Sequence, residues 1–228
     1  MTTKLVIVED EGLFRDLLRV SLSSQPNFEV VACAGDANTG IEEARKHRPD
    51  VVLMDIELGS GMNGIEAAIR IRKDHPKVGI VILSMHRDRE YLASLPAGQA
   101  EGWSYLLKQS VSDLSVLSRA IEGSAAGLMV LDPQVVAALR PRPGTRLAVL
   151  TPRERDTLSL MAEGFNNKAI ADKLGLKEKS VENCINSIYQ SLTIDRSDPV
   201  HPRVKAVLTY LRESRQESRP ATTGSEHP

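Results

Sequence analysis

Short apolar runs recur through the first 123 residues, and four of them end on a polar side chain. Leu5-Val6-Ile7-Val8 is followed by Glu9 and Asp10, Val51-Val52-Leu53-Met54 by Asp55, Ile80-Val81-Ile82-Leu83 by Ser84, and Tyr105-Leu106-Leu107 by Lys108. Amphipathic stretches separate these runs. The alternation predicts βαβ units, that is, a parallel sheet with helices on both faces. Strands are expected at 4–9, 28–33, 50–55, 79–84 and 102–107, and helices at 12–24, 36–47, 64–74, 87–95 and 111–122. Asp36 can cap the second helix, His75-Pro76 stops the third, and Ser110 or Ser112 can open the fifth.

Beyond residue 123 the texture changes. Residues 124–145 are rich in Gly, Ala and Pro and read as a linker, with a short helix at 132–139 and an irregular Arg140-Pro141-Arg142-Pro143-Gly144. Residues 146–213 are wholly helical in pattern. Thr151 caps a helix with Pro152 at its first position and Glu154 at capping-box spacing. Helices at 167–174 and 178–192 follow, with Gly175 between them, and a last one runs from Pro202 to about Glu213. Val181, Ile185, Ile188 and Leu192 share one helical face, so it packs inward, and the opposite face carries Lys179, Glu182, Asn183, Asn186 and Gln190. The polar stretch 214–228 reads as a disordered tail.

A length of 228 residues suits two domains, each large enough for its own core. The net charge of −1 names no partner, but the two parts differ. Residues 1–123 carry 14 Lys/Arg against 18 Asp/Glu, whereas 145–213 carry 11 against 9, a balance that permits nucleic-acid binding by the second part. Cys33 and Cys184 fall in different domains without metal-ligand spacing, which points to a reduced, cytoplasmic protein. No leader and no long apolar stretch is evident, so neither export nor contact with a membrane is expected.

The strand-end residues carry the chemistry. In an open parallel sheet the strand C-termini line one edge, and ligands bind where the strand order reverses. Three carboxylates (Glu9, Asp10, Asp55), the Ser84 hydroxyl and the Lys108 ammonium converging there make a site for a hard cation and a phosphoryl group. A single carboxylate after a strand is usually a solvated loop residue or a helix cap. Such residues at every appropriate strand end are a much rarer coincidence.

On these positions residues 1–123 resemble the receiver domain of two-component response regulators. The resemblance implies a flavodoxin-like, doubly wound, five-stranded α/β domain in which Asp55 accepts a phosphoryl group from a sensor histidine kinase. It further implies Mg²⁺ held by Glu9, Asp10, Asp55 and the backbone carbonyl of Glu57. Ser84 and Lys108 would bind the phosphoryl group, and Tyr105 would act as an aromatic switch. In the family the positions of Glu57 and His86 influence how fast the phosphoryl group hydrolyses, and two exposed polar side chains at the rim without that role are the equal alternative. The loop Leu58-Gly59-Ser60-Gly61-Met62-Asn63-Gly64 lacks the family's Pro and is one residue longer, and its glycines make it more flexible.

Residues 146–213 resemble the LuxR/NarL-type helix-turn-helix domain through Leu150-Thr151-Pro152-Arg153-Glu154, Glu163-Gly164, Asn167-Lys168-Ala169-Ile170-Ala171 and Leu174. Ser180-Val181, Ile188, Leu192 and Ile194 continue the match. By position in that motif Glu182, Asn183 and Asn186 would read bases, while Lys168, Lys177, Lys179 and Ser180 would contact phosphates. Departures are Glu182 and Cys184 in place of a Lys and a His, Lys177 in place of a capping Ser, and a longer loop at 195–202. The stripe Val204, Val207, Leu208 and Leu211 on the last helix is core or part of a dimer surface. The expected protein is therefore a response regulator, not an enzyme, that binds duplex DNA as a homodimer when active. A protein-interaction regulator with a helix-turn-helix that no longer reads DNA is the alternative. An Asp55 hydrolase is disfavoured because Glu57, not a second aspartate, lies two residues on.

Overall fold

The computed structural model describes residues 2–59, 61–86, 93 and 97–216. Its main sheet is parallel throughout, in the order β2-β1-β3-β4-β5-β6. The strands are β1 (Thr3–Val8), β2 (Phe28–Ala34), β3 (Val51–Asp55), β4 (Gly79–Ser84), β5 (Trp103–Leu107) and β6 (Val130–Leu131). Helices α1 (Gly12–Ser23), α2 (Ala37–His47), α3 (Gly64–Asp74) and α4 (Leu114–Ala125) cover its two faces. Alternate strand residues point to opposite sides, so each strand serves two cores. Leu5, Ile7, Leu53, Val81, Leu83 and Leu106 pack with Leu18 and Leu22 of α1 and Leu117 and Ile121 of α4. Val6, Val8, Val52, Met54, Ile80 and Ile82 pack with Ile41 and Ala44 of α2 and Ala67, Ala68 and Ile71 of α3.

Helix punctuation largely follows local chemistry. The Asp36 carboxylate accepts from Thr39 N at 3.0 Å, and α3 stops at His75 ahead of Pro76. The fifth expected helix starts later than its serines indicated. Lys108–Ser112 form a 3-10 turn, and Asp113 caps α4 by accepting from Ser115 N at 2.9 Å, because a carboxylate outcompetes the neighbouring hydroxyls for the free N–H groups. The expected helix at 87–95 lies outside the described residues, Ala93 apart.

Residues 124–145 are more than a linker with one helix, and this corrects the reading from composition. Val130 and Leu131 form β6 on the open edge of β5, where Asp132 N donates to Tyr105 O at 2.7 Å. Asp132 is fully buried. It caps α5 (Pro133–Ala137) through Gln134 N at 2.8 Å, and its other oxygen accepts from Leu107 N at 3.0 Å. Beyond α5, β7 (Leu139–Pro141) pairs antiparallel with β8 (Ser214–Gln216), which follows the last helix. The expectation of disorder from residue 214 therefore fails for its first three residues, because the edge of β7 supplies backbone partners that a polar sequence alone does not reveal. Residues 217–228 lie outside the described residues.

The helical part comprises α6 (Pro152–Ala162), α7 (Asn167–Leu174), α8 (Glu178–Ser191) and α9 (Pro202–Glu213). Its core of Leu158, Met161, Ile170, Val181, Ile185, Ile188, Val204 and Val207 is continuous with the receiver cluster through Leu131, Val135 and Val136. Val130 is the wedge. A Cβ on Gly123 of α4 would come within 2.5 Å of its side chain, and one on Gly164 of the helical part within 2.9 Å. Across the same contact Arg119 donates to Glu163 O at 3.3 Å and stands 4.2 Å from the centre of the Phe165 ring.

Candidate functional site

The strand order reverses at β1, which lies between β2 and β3, and the polar strand ends gather beside that reversal. Glu9 and Asp10 follow β1, Asp55 closes β3, and oxygens of all three lie within 4.8 Å of one another. Glu9 and Asp55 are buried and Asp10 is exposed. Lys108 Nζ reaches from the end of β5 to both buried carboxylates, at 2.8 Å from Glu9 Oε1 and 2.9 Å from Asp55 Oδ2. Backbone N–H groups complete the cradle: Glu11 N donates to Glu9 Oε1 at 3.2 Å, and Glu57 N to Asp55 Oδ1 at 3.2 Å.

The electrostatics follow from that packing. Burial pushes the Glu9 carboxyl up to about 7, with the Lys108 bond opposing and the Asp55 charge adding to the rise. Burial alone would lower the Lys108 ammonium, but its bonds to Glu9 and Asp55 outweigh it and hold the pKa above the usual lysine value. The remaining oxygen of Glu9, Oε2, is buried without a hydrogen-bond partner. An orphaned carboxylate oxygen among hard oxygen donors is what a small divalent cation would satisfy, so the residues present fit such an ion.

At the rim, Ser84 Oγ accepts from His86 N at 3.1 Å, and the Tyr105 hydroxyl donates to His86 O at 2.5 Å. The Tyr105 ring is thereby turned inward and buried. Glu57 and His86 meet at 3.5 Å over the site, both exposed. The structure thus brings Glu9, Asp10, Asp55 and Lys108 into direct reach of one another, with Ser84 and Tyr105 joined through the segment after β4.

The loop after Asp55 has two glycines at positive φ, Gly59 at +70° and Gly61 at +126°. A third glycine is required for a different reason. Gly64 opens α3 where a Cβ would lie 1.7 Å from the Asp55 carbonyl oxygen. We expect Gly64→Ala to force β3 and α3 apart, lowering stability by roughly 1–3 kcal/mol or more. Urea unfolding checks this, and an unchanged midpoint would show that the junction relaxes freely.

In the helical part, Thr151 and Glu154 form a reciprocal capping box: Thr151 N donates to Glu154 Oε2 at 2.8 Å, and Glu154 N to Thr151 Oγ1 at 3.3 Å. The Ser187 hydroxyl of α8 also donates to Glu154 Oε1, which ties α8 to the start of α6. Gly175 at φ +63° makes the left-handed turn between α7 and α8. Val181, Ile185 and Ile188 of α8 are buried, whereas Lys179, Ser180, Asn183, Asn186 and Gln190 are exposed. Glu182 is half-buried and bonds Lys179 at 2.8 Å. Lys177 precedes the helix without a side-chain cap, as a lysine has no acceptor, and Lys168 is exposed on α7. Cys184 turns inward, its thiol 3.3 Å from Thr157 Oγ1, so its substitution concerns packing and not a ligand-facing position. One residue outside the expected set reaches this face: Arg196 bonds the Asn186 side chain.

Fold and site together define a receiver joined to a helix-turn-helix unit. Comparison with known proteins agrees. Residues 5–122 match the response regulator receiver domain, and residues 148–198 match the luxR family of bacterial regulatory proteins. The transcriptional regulatory protein DegU of Brevibacillus brevis is 32% identical over 224 residues, covering 89% of this chain and 93% of its own. The response regulator VraR of Staphylococcus aureus is 32% identical over 205 residues, covering 88% and 95%. Among solved structures, a LuxR-family two-component response regulator from Aurantimonas sp. is 31% identical with a TM-score of 0.53, covering 60% of this chain and 94% of that one. The chain belongs to the response regulators, with a receiver domain followed by a luxR-type helix-turn-helix. No helix among the described residues is long and apolar enough to cross a membrane.

Proposed function

We propose that Asp55 accepts a phosphoryl group from a sensor histidine kinase and that this modification governs binding of the luxR-type domain to duplex DNA as a homodimer. The observation that carries the reading is the pairing of Lys108 with Glu9 and Asp55 beside a buried, unpartnered Glu9 oxygen. An Asp55 oxygen forms the new bond to phosphorus as the donor's bond breaks, and the transferred group keeps its negative charge. Lys108 and the N–H of Glu57 hold the carboxylate in position, and Ser84 and Lys108 are placed to meet the oxygens of the arriving group. Glu9, Asp10, Asp55 and the carbonyl of Glu57 would hold Mg²⁺, which supplies charge neutralisation when bound. The relationship to a named transcriptional regulatory protein supports the DNA output, and Glu182, Asn183 and Asn186 are the base-reading residues, with Lys168, Lys177, Lys179 and Ser180 on phosphates. Such a regulator works in the cytoplasm, where its kinase and promoters are.

Selection of random duplex DNA by the full chain, with and without a small-molecule phosphodonor, tests the reading. A two-fold symmetric consensus, enriched more strongly with the donor, is the expected result. A folded protein that enriches nothing would favour the protein-interaction alternative, to which the Lys179–Glu182 pairing already lends some weight.

The raised Glu9 pKa gives a signed dependence on pH. Between about 4.5 and about 7 the folded, metal-free protein holds a proton on Glu9 that the unfolded chain releases. Glu9 therefore contributes stability at low pH that is lost as pH rises through about 7. Mg²⁺ must displace the same proton, so its apparent affinity should rise as pH climbs towards 7, by at most about tenfold per pH unit, and level off above. Calorimetric titration at several pH values measures this. Equal affinity at pH 6 and 8 would remove Glu9 from the metal site.

A further inference from the structure

We propose that Arg196, in the loop after α8, reads a guanine edge in the major groove alongside Asn186, and so sets part of this protein's DNA specificity. The inference rests on the DNA-binding reading above and adds to it a residue outside the recognition helix.

Charge favours Arg196 first. Duplex DNA carries a negative charge about every 1.7 Å along its axis, so an approaching surface needs cations. Helix α8 carries one lysine and two glutamates, and the lysine, Lys179, is bonded to Glu182 at 2.8 Å. The helix that should enter the groove thus offers no net positive charge. Arg196 offers it from outside. Its guanidinium donates to Asn186 Oδ1 and stands 5.2 Å from the centre of the Tyr189 ring, so it lies on the exposed outer face of α8. Together with Gln190 and Ile194 these residues line a cavity of about 380 Å³.

Arg196 is also preorganised. The loop that presents Arg196 is held by its own acids. Asp195 accepts from Ser197 N at 2.8 Å and from Ser197 Oγ at 2.7 Å. Asp198 accepts from Val200 N at 2.9 Å and pairs with Lys205, which also donates to Asp195 O at 3.3 Å. Further along, His201 N donates to Glu101 Oε1 at 2.8 Å. Asp198 is paired with Lys205, and Asp195 turns its carboxylate to Ser197 and not to Arg196, so neither holds the guanidinium in an ion pair. Asn186 uses its oxygen on Arg196 and fixes the plane of the guanidinium against the helix. The remaining N–H groups of that fork stay available, and a planar pair of donors matches O6 and N7 of guanine. Asn186 is then a positioning residue for Arg196 as well as a groove contact.

The test is selection of random duplex DNA and salt-dependent binding by three full-length proteins: wild type, Arg196→Ala and Arg196→Lys, each with Mg²⁺ and a phosphodonor. Arg196 is exposed, so equal thermal midpoints are expected for all three. Wild type should yield a consensus with a G·C pair whose discrimination falls roughly 5- to 150-fold in Arg196→Ala. Arg196→Lys should recover the salt slope but not that discrimination, since an ammonium lacks the planar fork. An unchanged consensus at unchanged affinity in Arg196→Ala overturns the proposal while leaving DNA reading intact. A uniform loss of affinity for all sequences, restored by lysine, also overturns it and makes Arg196 a phosphate contact. No consensus with the wild type defeats DNA reading itself, and this inference with it.

Discussion

Asp55→Asn protein should take up no phosphoryl group from an acyl-phosphate donor under conditions that label the wild type, and its DNA binding should no longer respond to the donor. The substitution is nearly isosteric, so Lys108 can still donate to the side-chain oxygen and the buried strand end keeps its packing. An amide is no nucleophile, and the effect is therefore complete instead of partial. Electrophoretic separation of the phosphorylated form gives the readout. Continued labelling of Asp55→Asn would move the acceptor to Asp10, which is the exposed carboxylate of the cluster.

The second large effect is expected at Lys108. Replacing it with Ala removes the ammonium that bonds Glu9 and Asp55 and leaves two buried carboxylates facing each other. The rate of labelling should fall about 10²–10³-fold, the usual loss when one preorganised group that meets developing charge is removed. Stability should respond with a definite sign. The Lys108 bond holds the Glu9 carboxyl down, so without it Glu9 keeps its proton to higher pH, and the variant goes on losing stability with rising pH where the wild type has levelled off. Lys108→Ala should thus be more destabilising at pH 8 than at pH 6, as read from urea midpoints without metal. A loss of rate below threefold, or a destabilisation indifferent to pH, would separate Lys108 from the chemistry of the site.

The polar strand ends of the receiver were legible because they follow apolar runs buried on both faces, against which one or two polar residues mark the edge. Capping by Asp36 and the Thr151–Glu154 box were legible for a similar reason, since both are local in sequence. What escaped the sequence depends on partners far along the chain. Two residues are too few to show a strand period, so Val130 and Leu131 revealed themselves only on the edge of β5. Ser214, Arg215 and Gln216 carry no apolar signal, and only the facing Leu139–Pro141 makes them a strand. Asp132 was recognisable as a helix start, but its hold on Leu107, directly before Lys108, was not. Cys184 was legible only as a departure from the family pattern, and its turn towards Thr157 shows in the packing alone. Arg196 lies ten residues beyond Asn186, and no periodic pattern joins a loop residue to a helix face.

The short β7–β8 pair bears on how such proteins could be recombined. Leu139–Pro141 precede the helical domain and Ser214–Gln216 follow it, so the chain enters and leaves that domain through one two-stranded clasp. A chimera that exchanges output domains at the proline-rich stretch after residue 141 would transplant one half of the clasp and leave the other behind. A junction placed before Leu139 keeps both halves in the same inheritance, and it also leaves β6 and Asp132 with the receiver strand they extend. The natural unit of exchange therefore begins seven residues earlier than the first residue of the helical pattern at 146.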